Sequence, residues 1–111
     1  HFMNFVYKYV NKVPVISFLA DDGSLLGSDI KVFGEEIISL VTENINRIAF
    51  DLRHNSYLNS FGLGELINMR KFFYDRGFEC VLISESKKIN KLLDMVGIGD
   101  LFTRIKSDNE L

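Results

Sequence analysis

The chain of 111 residues reads as one α/β domain, a mixed β-sheet opened by an N-terminal antiparallel hairpin. Three observations carry this reading. Phe5, Tyr7 and Tyr9 alternate with Val6, Lys8 and Val10, and after Asn11-Lys12 a second β-rich run begins, which is a hairpin signal. About 26 residues then separate the second strand from Ile48-Ala49-Phe50-Asp51-Leu52, the length of a helix with two loops, and a similar stretch precedes Glu79-Cys80-Val81-Leu82-Ile83. Both intervening segments carry apolar residues at helical spacing, so both connections imply parallel pairing.

Each element has a local cause. The second strand, Val15-Ile16-Ser17-Phe18-Leu19-Ala20, follows Pro14, which sits near a strand start, where a missing N–H is tolerated. Asp21-Asp22-Gly23 ends the strand. Ser28-Asp29 can then cap a helix with apolar positions Ile30, Phe33, Ile37, Leu40 and Val41, a helix that Gly34 weakens by about 1 kcal/mol relative to alanine. The run Ile48–Leu52 is nearly continuously apolar, as suits a strand covered on both faces. A helix from Phe61 to about Asp75 follows, with Leu63, Leu66, Ile67, Phe73 and Tyr74 as its core stripe. Phe61, Met69 and Phe72 widen its apolar arc to roughly two-thirds of the circumference, more than a helix lying on one sheet requires. Either these three are partly exposed and mark an interface, or a neighbouring helix buries them. The last helix is capped by Ser86, carries Ile89, Leu92, Leu93 and Val96 inward, and ends at Gly97 in the left-handed conformation. A short strand at Thr103-Arg104-Ile105 and a capped stub from Ser107 finish the domain.

Composition narrows the function. Thirteen basic residues against 15 acidic ones give a formal charge of −2, without the basic stripe that direct nucleic-acid binding needs. The single Cys80 has no internal disulfide partner, and with His54 it offers no zinc ligand set. A reducing cytoplasm suits the chain, which shows neither a long apolar run nor a signal-peptide layout. His1-Phe2 ahead of Met3 read as a cloning leftover, and residues 1–111 as one domain. No cofactor motif is present: Gly62-Leu63-Gly64 lacks the lysine and spacing of a phosphate loop. Asp21, Asp22 and Asp51 do not have the order of a receiver's acidic pocket, and His54 has no nucleophile beside it in a recognisable pattern.

The most informative segment is Leu58-Asn59-Ser60-Phe61-Gly62-Leu63-Gly64-Glu65-Leu66, at the hinge between a buried strand and a helix. Ser60 suits an N-cap, and it faces the positive end of the helix dipole, where an anion is tolerated. A plain capping serine accounts for the spacing as well as a modification site does. The segment resembles the "strand, turn, Asp-Ser-Ser-Gly-Leu-Gly, helix" pattern of the STAS domain, the sulfate-transporter and anti-sigma-factor-antagonist family. The resemblance continues through Tyr74-Asp75-Arg76-Gly77, Glu79–Ile83, Ile89–Ile98 and Leu101-Phe102.

That resemblance implies a STAS fold with helices mainly on one face of the sheet, and a binding module rather than an enzyme. It implies an anti-sigma factor antagonist that binds a serine-kinase anti-sigma factor, is switched off by phosphorylation at Ser60 and is restored by a phosphoserine phosphatase; ATP belongs to the partner. The partner surface it implies comprises Asn59, Phe61, Gly62, Gly64, Glu65, Met69 and Phe72, with Asp22 and Ser24 from the segment after the second strand. Two departures bear on it. Asn59 stands where the family has an aspartate, and keeps its shape without its charge; Phe61 replaces a small residue. Asn59 favours the alternative of a phosphorylation-independent STAS scaffold, or a subunit of a transporter or signalling assembly. Ser56 is a lesser acceptor candidate, and a small-ligand or nucleotide-binding domain rests on the glycines alone.

Overall fold

The computed structural model describes residues 5–18, 27–40, 45–55, 58 and 60–111. Strands β1 (Phe5–Val10) and β2 (Val13–Phe18) precede helix α1 (Gly27–Leu40). Strand β3 (Arg47–Asp51) leads to α2 (Ser60–Tyr74), and β4 (Glu79–Ile83) to α3 (Lys87–Val96). Strand β5 (Thr103–Ile105) lies between two short 3-10 turns, Gly99–Leu101 and Asp108–Glu110.

The five strands lie in the order β1-β2-β3-β4-β5, with β1 and β2 antiparallel and every later pair parallel. Asn11 and Lys12 both take positive φ, 52° and 68°, the left-handed pair that matches a two-residue hairpin turn to the twist of its strands. When strands follow one another in sequence order, crossovers of one hand put every helix on the same side of the sheet. The core agrees: Ile37 of α1, Leu66, Met69 and Phe73 of α2, and Ile89 and Leu93 of α3 pack with Ile16, Ile48, Phe50, Cys80 and Leu82 on one face. The architecture is the mixed α/β sheet expected from the sequence, with its helices on one face.

Alternation sends Val15, Ala49, Val81 and Ile83 to the opposite face, where they are fully buried with Val10, Ile105 and Leu111 against them. A polar network ties the rim of this face. Asp51, only 1% exposed, accepts from the Arg53 backbone N–H at 3.0 Å and from Nε and Nη2 at 3.0 and 2.9 Å. Arg53 also reaches Asp108 at 3.2 Å, which Lys8 meets at 3.3 Å. β1, the end of β3 and the C-terminal turn are thereby joined. Burial opposes the Asp51 charge, but the Arg53 hydrogen bonds outweigh it and hold the carboxyl below its ordinary range.

Local signals hold for the last helix. Ser86 Oγ accepts from the Ile89 N–H at 3.3 Å, and Gly97 adopts φ 75°. Ser107 and Glu110 form a capping box at the C-terminal stub. Three expectations are corrected. Ser28 lies inside α1, which begins at Gly27, so it is not the cap. Val96 is 48% exposed, because the stripe of α3 narrows to Ile89 and Leu93 where the helix ends. Gly34 is a contact as well as a weak helix former: a Cβ there would collide with the ring of Phe72, so the glycine lets α1 and α2 approach. Leu19, Ala20, Asp21, Asp22, Gly23 and Val41 lie outside the described residues.

Candidate functional site at the start of helix α2

α2 begins at the carboxyl end of the sheet, after β3, and Ser60 is its first helical residue. This corrects the capping expectation: Ser60 lies inside the helix and not at the position before it. As the first residue Ser60 still stands among the N–H groups that have no partner within the helix, at the positive end of its dipole. Its side chain is exposed. No acidic residue occupies the first turn of α2, so an added phosphate would meet no carboxylate there.

The rotation of α2 decides which residues can share a surface with Ser60. At about 100° per residue, Gly62, Leu66, Met69 and Phe73 fall on one side, and all four are buried. Ser60, Gly64, Ile67 and Lys71 recur at i, i+4, i+7 and i+11 on the opposite side. Ser60, Ile67 and Lys71 are exposed and Gly64 is half-buried, with open space where a Cβ would stand. The missing side chain one turn beyond Ser60 adds no bulk to the outer stripe at that position. Gly64 is thus not explained by close packing against the sheet.

Several sequence expectations change as a result. Met69 is 0% exposed and belongs to the core, so it offers no partner surface. Phe72 is half-buried: its ring packs on the core, stands edge-on to Phe73 with centroids 5.2 Å apart, and carries the Arg76 guanidinium 3.6 Å above it. The neighbouring helix α1, whose Gly34 faces the Phe72 ring, accounts for the wide apolar arc at Phe72, whereas Met69 lies on the inward side of α2. Glu65 is buried at 6% exposure and Gly62 is buried; both flank the inward side of the helix and lie away from the outer stripe. Ile67 and Tyr74, expected in the core, are exposed at 37% and 56%, and Tyr74 is covered on one face by Arg70 at 4.0 Å. Ile67 and Lys71 join the candidate surface, and their spacing from Ser60 was the signal for them. Asn59, Asp22, Ser24 and Ser56 lie outside the described residues, as does the side chain of Phe61.

Among the described residues the other candidate groups do not assemble into a reactive site. Asp51 is engaged by Arg53 on both oxygens. His54, exposed, lies at the edge of a shallow cavity of about 340 Å³ that Val6, Lys8, Val15, Ser17 and Asp51 also line. Cys80 is buried, and burial pushes its thiol up to about 11. Among the described residues no group of three or more His, Cys, Asp or Glu side chains is placed to hold a metal ion, and no helix is long and apolar enough to cross a membrane.

Comparison with known proteins places this geometry in a wider setting. The family model of the STAS domain matches residues 7–110. An NMR structure of the protein TM1081 superposes with a TM-score of 0.71 at 21% identity, covering 99% of this chain and 86% of that one. A crystal structure of the same Thermotoga maritima protein, there proposed as an anti-sigma factor antagonist, gives 0.65 at 20% identity over 96% of this chain and 89% of that one. At these identities the likeness speaks for the fold. No curated protein matches the chain significantly.

Proposed function

Because the chain belongs to the STAS domain family, whose model spans residues 7–110, we propose that it is an anti-sigma factor antagonist. In its unmodified form it binds a serine-kinase anti-sigma factor through the turn before α2 and the outer stripe of that helix. Phosphorylation of Ser60 by that kinase switches binding off, and a phosphoserine phosphatase restores it. The observation that carries this reading is the exposed Ser60 hydroxyl at the first position of α2 with open space at Gly64 beside it. The fold of TM1081, proposed for the same role, is in keeping with it.

The physical logic is local. Phosphorylation adds about −1.5 to −2 charges and three acceptor oxygens. The helix N-terminus tolerates them, so the domain stays folded. A partner packed over Ser60 and Ile67 meets the charge directly. The chain is then a substrate and a binding module, and the nucleotide belongs to the kinase. Titration calorimetry against the anti-sigma serine kinases encoded in the same genome tests this. Ser60→Ala is expected to bind as the parent does, and Ser60→Asp to stay folded and lose binding. Equal binding by both variants overturns the switch.

A second reading has one specific observation behind it. Asn59 occupies the place of the family aspartate and cannot accept a proton. If the kinase step draws on that carboxylate, the chain is a STAS scaffold that binds without modification, within a transporter or a signalling assembly.

A further inference from the structure

Outside the Ser60 surface, the outer flank of α3 carries a feature that the core does not require. Lys88, Leu92 and Met95 recur at i, i+4 and i+7, with Lys91 beside them, and together with Leu58 and the buried Ile89 they line a groove of about 410 Å³. The stripe runs for about two helical turns, roughly 10 Å at 1.5 Å per residue. Its floor is apolar. Met95 is 73% exposed, and its unbranched, polarizable side chain adapts to varied apolar surfaces.

The rim is basic in a chain of net charge −2. Lys87, Lys88 and Lys91 are all exposed, and none takes part in an ion pair among the described residues. Asp94, the one acid within α3, is engaged by Arg104, which also donates to Asn90 Oδ1 at 2.9 Å. Glu85 and Asp100, on either side of α3, are the remaining acidic residues close by in sequence. An apolar trough two turns long with unpaired lysines along it is complementary to a helix that presents leucine-like side chains flanked by carboxylates. A flat anionic bilayer would leave the trough unfilled, since only Met95 stands well clear of the surface.

We propose that the groove between Leu58 and the outer flank of α3 is a docking site for an acidic amphipathic helix of a protein partner. Through Leu58 the groove borders the turn before α2, but its basic flank belongs to α3, a different helix from the Ser60 stripe.

The test uses the full chain, labelled with ¹⁵N, and a synthetic helical peptide of about 14 residues with leucines at i, i+3, i+4 and i+7 and flanking glutamates. Its counterpart carries lysines in place of the glutamates. The glutamate peptide is expected to shift the amides of Leu58, Lys88, Lys91, Leu92 and Met95, and the lysine peptide to leave them unmoved. Lys88→Glu with Lys91→Glu, both at exposed positions and checked for an unchanged melting temperature, is expected to weaken the glutamate peptide roughly tenfold or more and to let the lysine peptide bind. Equal binding of the two peptides, shifts that fall elsewhere, or an affinity insensitive to the charge reversal overturns the proposal. So does lysine-dependent binding to phosphatidylserine vesicles in the absence of peptide binding.

Discussion

Gly34→Ala should destabilise this protein, although it places the best helix former in the interior of a helix. Alone, the substitution gains about 1 kcal/mol from propensity. The structure opposes it: a Cβ at position 34 would clash with Phe72 Cε1 and lie 2.6 and 2.7 Å from Cδ1 and Cζ, well inside the 3.4 Å at which ordinary contact begins. The ring has little room to yield, with Phe73 edge-on at 5.2 Å and the Arg76 guanidinium 3.6 Å over it. Overpacking of this kind costs about 1–3 kcal/mol, and the held ring argues for the upper half of that range, so the net loss is about 1–2 kcal/mol. Phe72→Ala alone should cost about 2–3 kcal/mol, less than a fully buried phenylalanine. In that background the obstruction is gone, and Gly34→Ala should become stabilising by about 1 kcal/mol. Urea denaturation of the four proteins, with constant m-values, measures a coupling of about 2–3 kcal/mol. A stabilising Gly34→Ala in the native background, or the same effect in both backgrounds, would refute the close approach of α1 to α2.

Three further outcomes are expected. Arg53→Met leaves the Asp51 carboxylate buried without its partner and should cost about 3 kcal/mol in urea denaturation; a loss below about 1 kcal/mol would mean that solvent reaches Asp51. The pH dependence follows from the same pair. The folded Asp51 carboxyl lies below its ordinary range, so the unfolded chain binds more protons near pH 4 and stability rises with pH there. Stability is full above the unfolded value of about 3.9 and is lost as pH falls through the folded value. Arg53→Met should flatten this part of the profile, and an unchanged slope would assign it to other carboxyls. At Cys80, raised to about 11, about one thiol in a thousand is ionised at pH 8; alkylation should follow the opening of the fold, and fast stoichiometric labelling of the native protein would contradict its burial.

The sheet was legible because its signals are local. Alternation in β1, the Asn11-Lys12 turn, and the Ser86 and Gly97 caps each act within a few residues, and the two crossover lengths are read by counting along the chain. The phase of α2 was not. Its apolar residues cover so much of the circumference that composition does not say which side faces the sheet, and the stripe drawn through Ile67 and Tyr74 missed Met69. The answer lies in α1, which buries a second flank of α2 and leaves Ile67 outside. Nor did the sequence announce the Asp51–Arg53–Asp108–Lys8 network, since it joins residues from both ends of the chain. Ser60 was legible as the head of a helix, whereas its outward stripe with Gly64, Ile67 and Lys71 required the rotation of that helix to be known.

The Ser60 switch is tested most directly by intact-mass spectrometry after incubation with ATP and the anti-sigma serine kinases of the same genome, with Ser60→Ala alongside. The switch predicts a gain of about 80 Da, one phosphoryl group, that is absent from the Ser60→Ala protein. A kinase that binds the parent tightly yet adds no mass would contradict it, and would leave Asn59 and the phosphorylation-independent scaffold as the account of this surface.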